Sequence, residues 1–265
     1  MKLYDYIYLW EEGFSGFKLS NKWGIIKTDE DNKETVLVEA SYDYISEFYN
    51  GLAKAQKESL WGLLDTNGDL VVDCLHEEFY LPAEGLIGVR KDNKWGFIDY
   101  KGELKIDYLF DKVDLFSEGR CEVRKNKKSG FINTSGDLVV DYQYDATKRF
   151  SEGLCAVKMG EKWGFIDDNG NLIIDSLYKD VQSFSEGLAA VCLSYRWGFI
   201  DKIGKTILDF KYPEVTNFNN GIAEVFEIEY IDDPEYRAMT FGSERSEHAT
   251  LYYIDKAGVK ISEKV

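Results

Sequence analysis

Residues 161–175 read EKWGFIDDNGNLIID, and the central Trp-Gly-Phe-Ile-Asp returns in NKWGFID, ending at Asp99, and YRWGFID, ending at Asp201. A motif repeated within one chain can be a catalytic signature, a ligand code or a packing rule. The Trp-Gly step falls at Trp23, Trp61, Trp95, Trp163 and Trp197. Ser129-Gly130 holds the same register, and Leu251-Tyr252 marks a degenerate last copy. The intervals are 38, 34, 34, 34, 34 and 54 residues. A second marker, the Gly of FSEGLAAV, recurs at Gly13, Gly51, Gly85, Gly119, Gly153, Gly187 and Gly221. It stands 10 residues before each Trp-Gly position and 30 before Leu251. Two markers in one register define seven tandem copies within a single repeat domain, 1–265, starting near 4, 42, 76, 110, 144, 178 and 212. The first copy carries four extra residues in TDEDNKE, and the seventh carries about 20 near 227–247.

One copy reads as three strands. GLAAVCL (187–193) is strand A, RWGFID (196–201) strand B and KTILDF (205–210) strand C. Between B and C stands Asp-x-x-Gly, as in Asp65/Gly68, Asp99/Gly102, Asp167/Gly170, Asp201/Gly204 and Asp255/Gly258, with Asn133/Gly136 matching. Asp or Asn opens such a turn by accepting backbone N–H bonds, and Gly supplies the positive φ that closes a short hairpin. The A to B connection is also tight, so the copy is an antiparallel meander. The remaining Y-D-x-V-x-x-F-S-E-G stretch reads as a short edge strand or a helical turn.

At the D-x-x-G step the chain resembles the bacterial WG-repeat family, and the likeness covers nearly its whole length. The family's usual Trp is absent at Ser129 and Leu251, and its common Pro before the Tyr-Asp step is missing from most copies. The resemblance implies a β-rich repeat protein and no particular activity.

Strands A and B offer apolar atoms to both faces, so both faces must be covered. Stacking each unit on the next, about 10 Å apart, does this. Small residues of A suit the crowded side, and the indole fills the wider side. The expected fold is all-β, seven tandem repeats of about 34 residues in a propeller-like closed ring, with an N-terminal strand completing the last blade. An open curved β-repeat superhelix is the alternative.

A strut is needed in every copy and an active site once, so Trp23, Trp61, Trp95, Trp163 and Trp197 read as structural repeat residues. The rival is a row of exposed indoles stacking on sugars. The turns DTNGD (65–69) and DDNGN (167–171) faintly suggest calcium loops but lack the terminal Glu. Ser117/Glu118, Ser151/Glu152 and Ser185/Glu186 read as polar turns, with a Glu-lined channel as the sharper alternative.

Composition narrows the function. The chain is 44% apolar and 15% aromatic, enough for a large core. With 32 basic and 48 acidic side chains its formal charge is −16, which repels nucleic acid and anionic membrane. Cys121, Cys155 and Cys192 replace Ala or Val of other copies and, like Cys74, lack C-x-x-C spacing. They read as small buried thiols in a reducing, cytoplasmic setting. MKLYDYIYLWEEGF has no signal-peptide pattern. With His76 and His248 the only histidines, a multi-His metal site is nearly excluded, and His76, in the Tyr-Asp slot, reads as structural. No nucleophile elbow or phosphate loop is present. A glycosidase-like carboxylate pair is indistinguishable from the repeated acids.

The most irregular segment is Glu227–Ala249, inserted between strands A and B of the seventh copy. Its first half is acidic through Glu227, Glu229, Asp232, Asp233 and Glu235, followed by Arg237, Arg245 and His248. It is a surface hairpin or a docking loop for a basic peptide or protein patch. The expected function is a non-enzymatic scaffold binding protein or peptide, without cofactor or metal. A carbohydrate-binding module with exposed aromatics is the runner-up, and a carboxylate-based hydrolase the third reading.

Overall fold

The computed structural model describes residues 4–10, 13–80, 82–231 and 246–261. All helix and strand among them is strand. The fifth repeat shows the plan. A short leading strand, Ala146–Thr147, pairs with strand A, Cys155–Met159. Strand A pairs with B, Lys162–Ile166, and B with C, Leu172–Tyr178, all antiparallel. Six sheets have four strands in this order. The seventh has three, Ile222–Ile231, Ser246–Asp255 and Lys260–Ile261. The fold is an all-β, propeller-like repeat of short meanders.

The ambiguous Y-D-x-V-x-x-F-S-E-G stretch is therefore the leading strand followed by a turn. The N-terminal strand Tyr6–Leu9 pairs with Phe14–Leu19 of its own repeat, so it completes the first sheet instead of the last, contrary to expectation. A few residues separate the two strands, which makes local pairing the shorter loop to close. The seventh repeat departs in its A–B hairpin, which continues outward through Glu229 opposite His248 to Ile231 opposite Ser246.

Local chemistry explains the turns. Five A–B connections place two consecutive residues at positive φ, as at Asp92-Asn93 and Ser194-Tyr195, the geometry of type I′ hairpins. At the B–C turn, Asp167 Oδ1 accepts the N–H groups of Asn169 (3.0 Å) and Asn171 (2.8 Å). Asp65, Asp99, Asp201 and Asp255 do the same, and in the fourth copy the amide oxygen of Asn133 accepts the Asp137 N–H.

The Gly of Trp-Gly answers to a bulge. Trp163 pairs with Tyr178 and Phe165 with Ile174, so a step of two residues in strand B meets a step of four in C. The bulge drives the Ile174 carbonyl toward Gly164, where a Cβ would lie 2.5 Å from its oxygen. Gly24, Gly62, Gly96, Gly130 and Gly198 meet the matching carbonyl at 2.3–2.6 Å.

The chain forms two compact units, 1–115 with 134–136, and 116–133 with 137–265. Sheets stack within each. In the second unit Ala156, Phe165 and Ile174 of the fifth sheet meet Phe184, Ala189 and Ile200 of the sixth. Leu188, Ala190 and Phe199 of the sixth likewise meet Phe218, Ala223 and Ile254 of the seventh. In the first unit Ile25 and Val38 meet Ala53, Ala55 and Leu64. The main wedge is the Phe-Ile pair after Trp-Gly, since Phe165, Ile166, Phe199 and Ile200 are all 0% exposed. The indoles flank it. Trp95 is 4% exposed, whereas Trp23, Trp61, Trp163 and Trp197 are half-buried against their clusters.

Candidate functional site

The Phe-Ser-Glu-Gly turns stitch neighbouring repeats of the second unit together. The Oγ atoms of Ser117, Ser151 and Ser185 donate to the carbonyls of Phe150, Phe184 and Phe218 at 2.9, 2.8 and 2.7 Å. Glu118 accepts the N–H groups of Glu152 and Gly153 at 2.7 and 2.8 Å. Glu152 and Glu186 accept those of Gly187 and Gly221, both at 2.9 Å. Lys202 and Lys256 pair with the same two carboxylates at 3.2 and 3.0 Å. The hydrogen bond from Lys256 holds the Glu186 carboxyl below its ordinary range. These acids therefore serve the stack, which answers the Glu-channel reading.

Beneath each turn a Phe packs on the Phe of strand B in the preceding repeat. Ring centroids lie 5.1 Å apart for Phe131 and Phe150, 5.0 Å for Phe165 and Phe184, and 4.8 Å for Phe199 and Phe218. Between the second and third sheets both rings are missing. Leu63 stands in the strand B position and Pro82 in the turn position, while Tyr49 and Asn50 replace the stitching Ser and Glu. A cleft of about 590 Å³ opens there, within the first unit. Its walls are the rings of Tyr44, Phe48, Tyr49, Trp61 and Tyr80, with Leu63, Pro82 and Ile87 between them. Tyr44 meets Trp61 edge-on at 5.8 Å, and Tyr80 stacks on Trp95 at 4.5 Å, so these walls are braced.

One cation enters the cleft. Lys54, where later repeats carry Ala156 and Ala190, is half-buried, and its Nζ donates to the Phe79 carbonyl at 3.2 Å. Among the described residues no carboxylate lies within 4.0 Å of it. Burial pushes its pKa below the ordinary lysine value. Glu47 also lines the cleft and is exposed.

The other sequence candidates lie elsewhere. Glu229 and His248 are backbone pairing partners in the long hairpin. Asp232, Asp233, Glu235, Arg237 and Arg245 fall outside the described residues. His76 is 7% exposed with Nε2 2.9 Å from the Tyr108 hydroxyl, a packed position. All four cysteines are free thiols, and burial raises the Cys155 pKa. Among the described residues no three His, Cys, Asp or Glu side chains gather as a metal site. The cleft residues were missed because Leu63, Pro82 and Lys54 look unremarkable singly. Departure from the repeat at two positions sharing one interface was the signal.

The stack, the bulge and the turns place the chain among known repeats. The profile described as WG containing repeat matches residues 2–23, 31–61, 61–95, 95–128, 130–163, 163–196 and 197–227. A search of curated proteins finds no match. Among solved structures, the chain resembles one titled as the eukaryotic initiation factor at a TM-score of 0.50 and 10% identity. That likeness covers 94% of this chain and 84% of that one. Kluyveromyces lactis Hsv2p matches at 0.41 and 11%, covering 94% and 99%, and a streptogramin B lyase at 0.38 and 15%, covering 83% and 88%. With seven profile matches spanning most of its length, the chain belongs to the WG containing repeat family.

Proposed function

We propose that the protein is a non-enzymatic repeat scaffold that binds a protein or peptide, seating an apolar side chain of its partner in the cleft between the second and third sheets. The observation that carries this reading is the cleft itself: about 590 Å³, ring-walled, and created where the repeat's own packing residues are replaced. This volume falls within the ~300–1,000 Å³ of ordinary ligand pockets. Aromatic anchors seated in such pockets dominate many interfaces. The recurring acids are engaged in turns and stitches, which argues against a hydrolytic pair. The half-buried indoles argue against a sugar-stacking row. The charged segment 227–249, with Glu229, Asp232, Asp233, Glu235, Arg237, Arg245 and His248, is assigned as a second contact for a basic partner. Four free thiols suit a cytoplasmic setting.

A photo-crosslinking residue in place of Tyr49, which is 56% exposed, tests the reading. A defined polypeptide adduct is expected there and absent from the same substitution at Tyr195, and the recovered polypeptide should bind the purified protein. Glycan adducts, or identical adducts at both positions, would refute it.

A further inference from the structure

The chemistry of the cleft points to one kind of occupant. Its walls are mainly apolar, and the polar side chains among them are Ser46, Glu47, Lys54 and the tyrosines. Ser46 Oγ is already engaged, donating to the Glu47 carbonyl at 2.8 Å and accepting the Lys54 N–H at 2.9 Å. A segment passing through would have to satisfy peptide N–H and C=O groups on both sides of its anchor in a mainly apolar cleft. A chain that stops there avoids that cost. Lys54 offers what a chain end needs: a half-buried ammonium bonded to one carbonyl and to no carboxylate among the described residues.

We propose that the cleft captures the C-terminus of a partner chain, with the last residue's aliphatic or aromatic side chain among Trp61, Leu63 and Tyr80 and its α-carboxylate on Lys54. Charge-assisted pairing of an ammonium and a carboxylate is strong where water is partly excluded. One carbon joins the carboxylate to the side chain, so both fit a single cavity. Exposed Glu47 and the net charge of −16 favour a neutral or basic residue upstream over an acidic one. This inference rests on the peptide-binding reading and specifies its ligand.

The test selects random octapeptides displayed with free C-termini against the full chain and measures the enriched sequence by fluorescence anisotropy. The free acid should bind, and its C-terminal amide should bind about tenfold more weakly or worse. Lys54→Ala should abolish the preference for acid over amide. Leu63→Phe with Pro82→Phe, which restores the ring pair of the later repeats, should abolish binding while circular dichroism shows the fold intact. Both variants install residues that sister repeats already carry, so misfolding is not expected. Equal binding of acid and amide would overturn the proposal. So would tighter binding of free 4-phenylbutyrate than of the peptide, which would mark a small-acid pocket. Enriched internal motifs whose binding the filled cleft abolishes would sink this inference and leave the scaffold reading standing. No enrichment at all would sink both.

Discussion

Replacing Gly164 by Ala tests why Trp is followed by Gly. The new Cβ would lie 2.5 Å from the Ile174 oxygen and 2.9 Å from the Ser176 nitrogen, against 3.4 Å for ordinary contact. Strands B and C must therefore part by about 0.9 Å, the difference between 3.4 and 2.5 Å. The obstructing atoms are backbone, pinned on one side by the pairing of Phe165 with Ile174 and on the other by Trp163 with Tyr178. Overpacking costs about 1–3 kcal/mol, and one weakened ladder bond adds about 1 kcal/mol, so the variant should lose roughly 2–4 kcal/mol. Gly160→Ala is the control. It sits at φ +60 with nothing within 4 Å, so only the left-handed backbone penalty of about 1–2 kcal/mol applies. Urea unfolding followed by circular dichroism measures both. If Gly164→Ala unfolds within about 0.5 kcal/mol of the parent, or the control costs more, the bulge does not impose the glycine.

Other expectations follow from the stitches and ion pairs. Ser151→Ala removes the bond to the Phe184 carbonyl and should cost about 1 kcal/mol. The exposed Ser41→Ala should cost under about 0.5 kcal/mol, and equal melting temperatures for the two would refute the stitch. The Asp145 carboxyl is held below its ordinary value by the Lys128 hydrogen bond first, then by the Gly160 N–H. Its stabilisation is therefore complete above the unfolded-state value of about 3.9 and fades as pH falls through the lower folded value. Asp145→Asn should melt below the parent at pH 7, and the gap should close at about pH 2; a gap unchanged with pH contradicts the pairing.

Features that recur in every copy were legible. The Asp-x-x-Gly turns follow from the local chemistry of Asp and Gly. The antiparallel meander follows from apolar strands between tight turns. Interactions reaching across a repeat were not legible. Ser151 finds its partner 33 residues on, and its own neighbours show only a polar turn. The indole looked like the main wedge because it is the largest repeated side chain. The bulge beside Gly164 instead carries the following Phe-Ile pair into the core and leaves Trp163 on the flank. The cleft is built from missing rings, and Leu63 and Pro82 gain meaning only when the two positions are known to face each other.

The central claim is that matched rings in successive repeats hold the sheets together, so that their loss makes a cavity. A double-mutant cycle on Phe165→Leu and Phe184→Leu measures it most directly, since these rings lie 5.0 Å apart and are 0% and 2% exposed. The account predicts a favourable coupling of about 0.5–1.5 kcal/mol. Strictly additive losses would contradict it.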